Sequence, residues 1–136
     1  MSQVEALQAA LAGEHAALYG VGVAGGKLNG AKFRAADELY EQHRRQRDKL
    51  AALLTAAGEK PVAAEPAYDL PMAVTTPQTA SSLILVIERR LAAVYADLVE
   101  GAEQDQVRAL AIQTLITTAS TQLNWGGAPV AFPGAV

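Results

Sequence analysis

The sequence predicts an all-α protein, a four-helix bundle in which two antiparallel helix hairpins are joined by a long crossover. Three observations carry this: four stretches whose apolar residues recur at three- and four-residue spacing, glycines at the ends of those stretches, and a proline-rich segment near the middle. Composition agrees. Of the 136 residues, 51% are hydrophobic but only 5% aromatic, and alanine dominates, which favours helices packed closely through small side chains. The length suits one domain, residues 1–136, large enough to bury a core without covalent staples.

The first helix is expected at about residues 3–24. Ser2 followed by Glu5 has the spacing of a capping box, and Val4, Leu7, Leu11, Glu14, Leu18 and Val21 share one face. Gly25-Gly26 stops it. A second helix, about residues 31–57, follows the turn at Asn29-Gly30, with an expected inward seam of Phe33, Ala36, Tyr40, His43, Arg47, Leu50 and Leu54. Gly58 is its C-terminal stop. The crossover, residues 58–77, holds Pro61, Pro66, Pro71 and finally Pro77, at a position that a first helical turn tolerates. Extended at ~3.3 Å per residue it spans roughly 60 Å. A 24-residue helix is only about 36 Å long. The crossover therefore reaches from one end of a bundle to the other, which is the ferritin-like connection.

The third helix, about residues 78–100, places Ile84, Glu88, Leu91, Tyr95 and Leu98 on one face. The fourth, about residues 105–125, carries Leu110, Ile112, Leu115, Ile116, Ala119 and Leu123, and Arg108 is its one charge past the first turn. A helix without a charged face is buried on more than one side. The tail, residues 126–136, is apolar, broken by Pro129, Pro133 and Gly134, and expected to lie on the bundle surface. Helix 4 and this tail together hold more apolar surface than one core takes up, which predicts a homodimer built on them.

Function classes are narrowed by what is missing. The absence of cysteine removes disulfides, thiolate metal sites and thiol catalysis. A net charge of −3 provides no footprint for nucleic acid or anionic membrane, and the run Arg44-Arg45-Gln46-Arg47 reads as a solvated helix face. No window has the ~18 uninterrupted apolar residues of a membrane span. The N-terminal residues lack the pattern of a signal peptide, so a cytoplasmic location is expected.

One constellation carries chemistry. Carboxylate-bridged di-iron bundles take a Glu from each of two helices and a Glu-x-x-His pair from each of the other two, because residues three apart on a helix point the same way. Glu14 and Glu88 stand at the two single-Glu positions, and helix 2 supplies His43, but Tyr40 stands where its paired Glu belongs. Helix 4 supplies no ligand: no Asp, Glu or His occurs from Val107 onward, and Thr114 and Thr117, or Ile116 and Ala119 in a shifted register, fill the positions. A complete two-metal site within one chain is excluded by residue type. Two readings stay open. Glu14, His43 and Glu88 surround a single iron, manganese or zinc ion, or they form a metal-free polar cluster with Tyr40 and Arg47 and no cofactor. His15, next to Glu14, points about 100° away and is not a ligand.

The chain also resembles the bacterial ferritin-like domain family of unknown function over nearly its whole length. The resemblance rests on Glu14-His15-Ala16-Ala17, on Tyr40 and His43, on Glu88, and on the crossover Pro66-Ala67-Tyr68-Asp69-Leu70-Pro71. The ending, with Trp125, Ala128-Pro129, Ala131-Phe132-Pro133-Gly134, completes it. It implies a ferritin-like bundle and no particular activity. The expected function is a ferritin-like domain with a degenerate di-iron site, a non-catalytic structural or interaction module. The alternative is a metal-binding oxidoreductase or iron-handling protein with a single ion.

Overall fold

The computed structural model describes residues 1–135. It is all-helical, with α1 (Gln3–Gly25), α2 (Gly30–Ala56), α3 (Pro77–Gly101) and α4 (Asp105–Asn124), and no strand among the described residues. Each helix end lies one residue or less from its expected place. The caps explain why. Ser2 Oγ accepts from Glu5 N at 3.1 Å while Glu5 Oε2 accepts from Ser2 N at 3.2 Å, the reciprocal box that opens α1. Thr76 and Thr79 form a second box ahead of Pro77 at the first turn of α3. At the end of α2, Gly58 takes φ +79°, which lets Glu59 N reach back to Leu54 O at 2.9 Å.

α1 packs against α2 and α3, and α3 packs against α4. α2 and α4 make no comparable backbone approach, so a cleft opens between them. The α1–α3 contact is close because α1 presents small residues there. A Cβ on Gly20 would lie 2.5 Å from Ile87 Cδ1. The crossover covers the outer groove of this pair. Gln8 binds Lys60 O and Val62 N at 2.8 and 2.9 Å, and His15 Nε2 donates to Val62 O at 2.9 Å. Tyr68 then packs on Tyr19, ring centroids 5.7 Å apart. Leu70, Met72 and Val74 run on to the far end.

Two apolar clusters fill the interior. One joins Leu7, Leu11, Leu50, Leu54, Leu91, Leu98 and Val107; the other joins Val21, Leu39, Leu83, Ile84 and Trp125. Along α1, α2 and α3, the residues between the clusters are Glu14, His43 and Glu88, so the polar residues form a layer across the middle.

Two expectations fail in instructive ways. On α2, Leu39 is buried, whereas Phe33 is 46% exposed and Tyr40 and Arg47 are only part-buried. At 100° per residue, Phe33, Tyr40 and Arg47 stand about 80°, 60° and 40° to the same side of His43, so a seven-residue spacing drifts off the seam. Arg47 turns outward and pairs with Asp48 at 3.0 Å. On α4 the pattern is inverted. Val107, Ala111, Thr118, Thr121 and Gln122 are buried, while Ile112, Ile116 and Leu123 are about half-exposed. Neither the crossover nor Phe132, at 79% exposed, covers them. The lone charge of α4 has a local use: the Arg108 guanidinium donates to Ala102 O and caps the C-terminal end of α3.

Candidate functional site

Glu14, His43 and Glu88 meet at the centre of the layer, one from each of α1, α2 and α3. Each has apolar neighbours a turn away on its own helix, Leu11 and Leu18 beside Glu14 and Ile84 and Leu91 beside Glu88, which hold the backbone inward. All are buried: Glu14 is 0%, Glu88 1% and His43 5% exposed. The imidazole lies between the carboxylates. Its Nδ1 is 2.6 Å from Glu14 Oε2 and its Nε2 is 2.6 Å from Glu88 Oε1. The Tyr95 hydroxyl donates to the other oxygen of Glu14, also at 2.6 Å.

This geometry suits a charged imidazole. Ionised carboxylates only accept hydrogen bonds, so an imidazole bonded to one through each nitrogen donates from both and is a cation. Burial alone disfavours that cation and lowers the pKa. The hydrogen bonds and negative charges of Glu14 and Glu88 outweigh burial and push His43 up from 6.5 to about 10. Burial, reinforced by the charge of Glu14, raises the Tyr95 hydroxyl well above its ordinary value, so it stays a donor. Among the described residues, no buried side-chain nitrogen or oxygen lacks a hydrogen-bond partner.

One of the two readings of the sequence sets a single metal ion at these positions, and the donors as arranged do not fit one. A ligating imidazole offers a nitrogen lone pair, but both nitrogens of His43 hold protons directed at carboxylates. The imidazolium occupies the space between the carboxylates where an ion would sit. Among the described residues, no group of three or more His, Asp or Glu side chains is arranged to hold a metal ion.

Tyr40 and Arg47, expected at the cluster, lie outside it. Tyr40 packs beside Gly22 in the second apolar cluster. Tyr95, which the sequence places on the same face of α3 as Glu88, is the tyrosine whose hydroxyl reaches the cluster. Gln46 went unforeseen: its Nε2 donates to Thr114 Oγ1 at 2.7 Å and bridges the cleft between α2 and α4. Behind that bridge lies a cavity of about 300 Å³, with Glu14, His43 and Glu88 as its floor and Thr114, Thr117, Thr118 and Thr121 as one wall. No helix among the described residues is long and apolar enough to cross a membrane.

Comparison with known proteins agrees with the fold. The crystal structure of a conserved hypothetical protein, rv2844, from Mycobacterium tuberculosis is similar at 31% identity and a TM-score of 0.88, over 90% of this chain and 93% of that one. No curated protein matches the chain. Residues 6–136 match the family described as Domain of unknown function (DUF4439), and the chain belongs to that family.

Proposed function

We propose that this protein is a non-catalytic interaction module: a ferritin-like bundle of two antiparallel hairpins whose di-iron site is degenerate, and which self-associates through α4 and the tail. The observation that carries it is the inverted α4. Ile112, Ile116 and Leu123 are 45%, 56% and 49% exposed, and with Pro129, Val130 and Pro133 they line an apolar groove. A helix spends its apolar side chains on solvent only where a partner covers them.

A second copy is the occupant best supported. No charged residue occurs between Ala109 and Val136, so the face is electrically neutral and meets its own image without like-charge repulsion. A two-fold contact of one patch with itself is the commonest closed assembly. The degenerate-site part is supported by His43, whose imidazolium lies between the carboxylates in the place of a metal, and by α4, which offers no ligand. Redox chemistry on Fe(II) is therefore not expected of the isolated chain.

Sedimentation equilibrium of the parent and of Ile116→Lys tests the association. The parent should approach twice 14.2 kDa, and the variant, with a charge in the middle of the patch, should stay at 14.2 kDa. A parent that remains at 14.2 kDa at all concentrations defeats self-association. Oxygen uptake above buffer on adding Fe(II) defeats the absence of catalysis.

A further inference from the structure

We propose that the cleft between α2 and α4 binds a small molecule through a primary ammonium group, seated on the free oxygen of Glu88. Glu88 is 1% exposed, and its Oε1 is taken by His43. Its Oε2 has no partner among the hydrogen bonds of the described residues. Since no fully buried side-chain oxygen is left without a partner, Oε2 reaches the cavity that Glu88 lines. The floor also carries uncompensated charge: two carboxylates face one imidazolium, leaving one negative charge turned toward about 300 Å³ of space.

The threonines of the α4 wall add acceptors and withhold donors. The hydroxyl protons of Thr114, Thr117, Thr118 and Thr121 are all committed to carbonyls of their own helix, at 2.8, 3.0, 3.0 and 3.0 Å. These threonines therefore offer the cleft oxygen lone pairs only, and Thr114 already accepts there from Gln46. An anionic floor under an acceptor-lined wall selects a cation with several N–H donors, and an ammonium has three and no acceptor. A bare divalent ion needs about six oxygens within ~2.6 Å, and a space of about 300 Å³ is far larger than that shell. It is near the lower end of the usual range for organic ligands.

The rim indicates the other end of the ligand. Arg45 and Lys49 border the mouth on α2, with no salt bridge to either among the described residues. They repel a second ammonium and attract a carboxylate, so an amino acid with its two charges at opposite ends fits better than a diamine.

Calorimetric titration of the full chain with 4-aminobutyrate, butylamine, 1,4-diaminobutane and butyrate tests this. Saturable binding is expected for 4-aminobutyrate, weaker binding for butylamine and diaminobutane, and none for butyrate. Tighter binding of diaminobutane would assign the ammonium to a polyamine and overturn the role of Arg45 and Lys49. Thr118→Val removes one acceptor at nearly constant volume and should weaken 4-aminobutyrate about tenfold, while Ile116→Lys on the opposite face leaves it unchanged. Glu88→Gln, if it folds, should abolish binding. No saturable heat from any amine up to about 10 mM, equal binding of butyrate, or an unaltered affinity in Thr118→Val overturns the proposal.

Discussion

Replacing His43 by Leu removes the cation from between two carboxylates that are 0% and 1% exposed. The volume changes little, so the cost is electrostatic and not a cavity. Each carboxylate loses a 2.6 Å charge-assisted bond and faces the other without compensation. Breaking a buried ionic set by removing one partner costs ~3–5 kcal/mol. Urea unfolding, with a slope of about 2 kcal/mol/M for a chain this size, should then show a midpoint lowered by about 2 M. The triple variant Glu14→Leu/His43→Leu/Glu88→Leu separates repulsion from packing. With no buried charge left, it should recover most of the loss, short of about 1 kcal/mol for the stranded Tyr95 hydroxyl. A single variant as stable as the parent, or a triple variant no better than the single, would refute an ionic cluster held by His43.

Tyr95→Phe should cost about 1–3 kcal/mol in the same urea assay, since it leaves Glu14 Oε1 buried without its donor. Arg47→Met should lower the stability by less than about 0.5 kcal/mol, because among the described residues Arg47 pairs with the exposed Asp48 alone. The pH profile follows from the raised pKa of His43. Its folded pKa lies above the unfolded 6.5, so its contribution is fully present below 6.5 and is lost as pH rises through about 10. Thermal melts should therefore fall steadily between those limits, and His43→Leu should flatten that part of the profile.

The helices were legible because their ends are written locally. Ser2 with Glu5, Pro77, and Gly58 act on the nearest turn and need no tertiary partner. The seams of α1 and α3 were equally plain, since Glu14 and Glu88 interrupt otherwise apolar rows. α2 was harder: its charged residues flank the seam on both sides, and Tyr40 and Arg47 sit close enough to His43 to pass for inward positions. Leu39, four residues before His43, was the better guide. α4 reversed the usual rule. Periodicity locates an apolar stripe without saying what covers it, and Ile112, Ile116 and Leu123 face outward while threonines line the cleft. The seam of α3 marked Tyr95 as inward without naming Glu14 as its acceptor, and the bridge from Gln46 to Thr114 joins distant parts of the chain, so spacing carried no trace of it.

The central claim is that His43 is a cation held between Glu14 and Glu88 in the place a metal would take. Nitrogen-15 NMR of the His43 ring, followed from pH 5 to pH 11, tests it directly. The claim requires both ring nitrogens to stay protonated through neutral pH and to titrate near 10, unchanged by a chelator. A ring that titrates near 6.5, or whose shifts move on adding zinc at neutral pH, would contradict it.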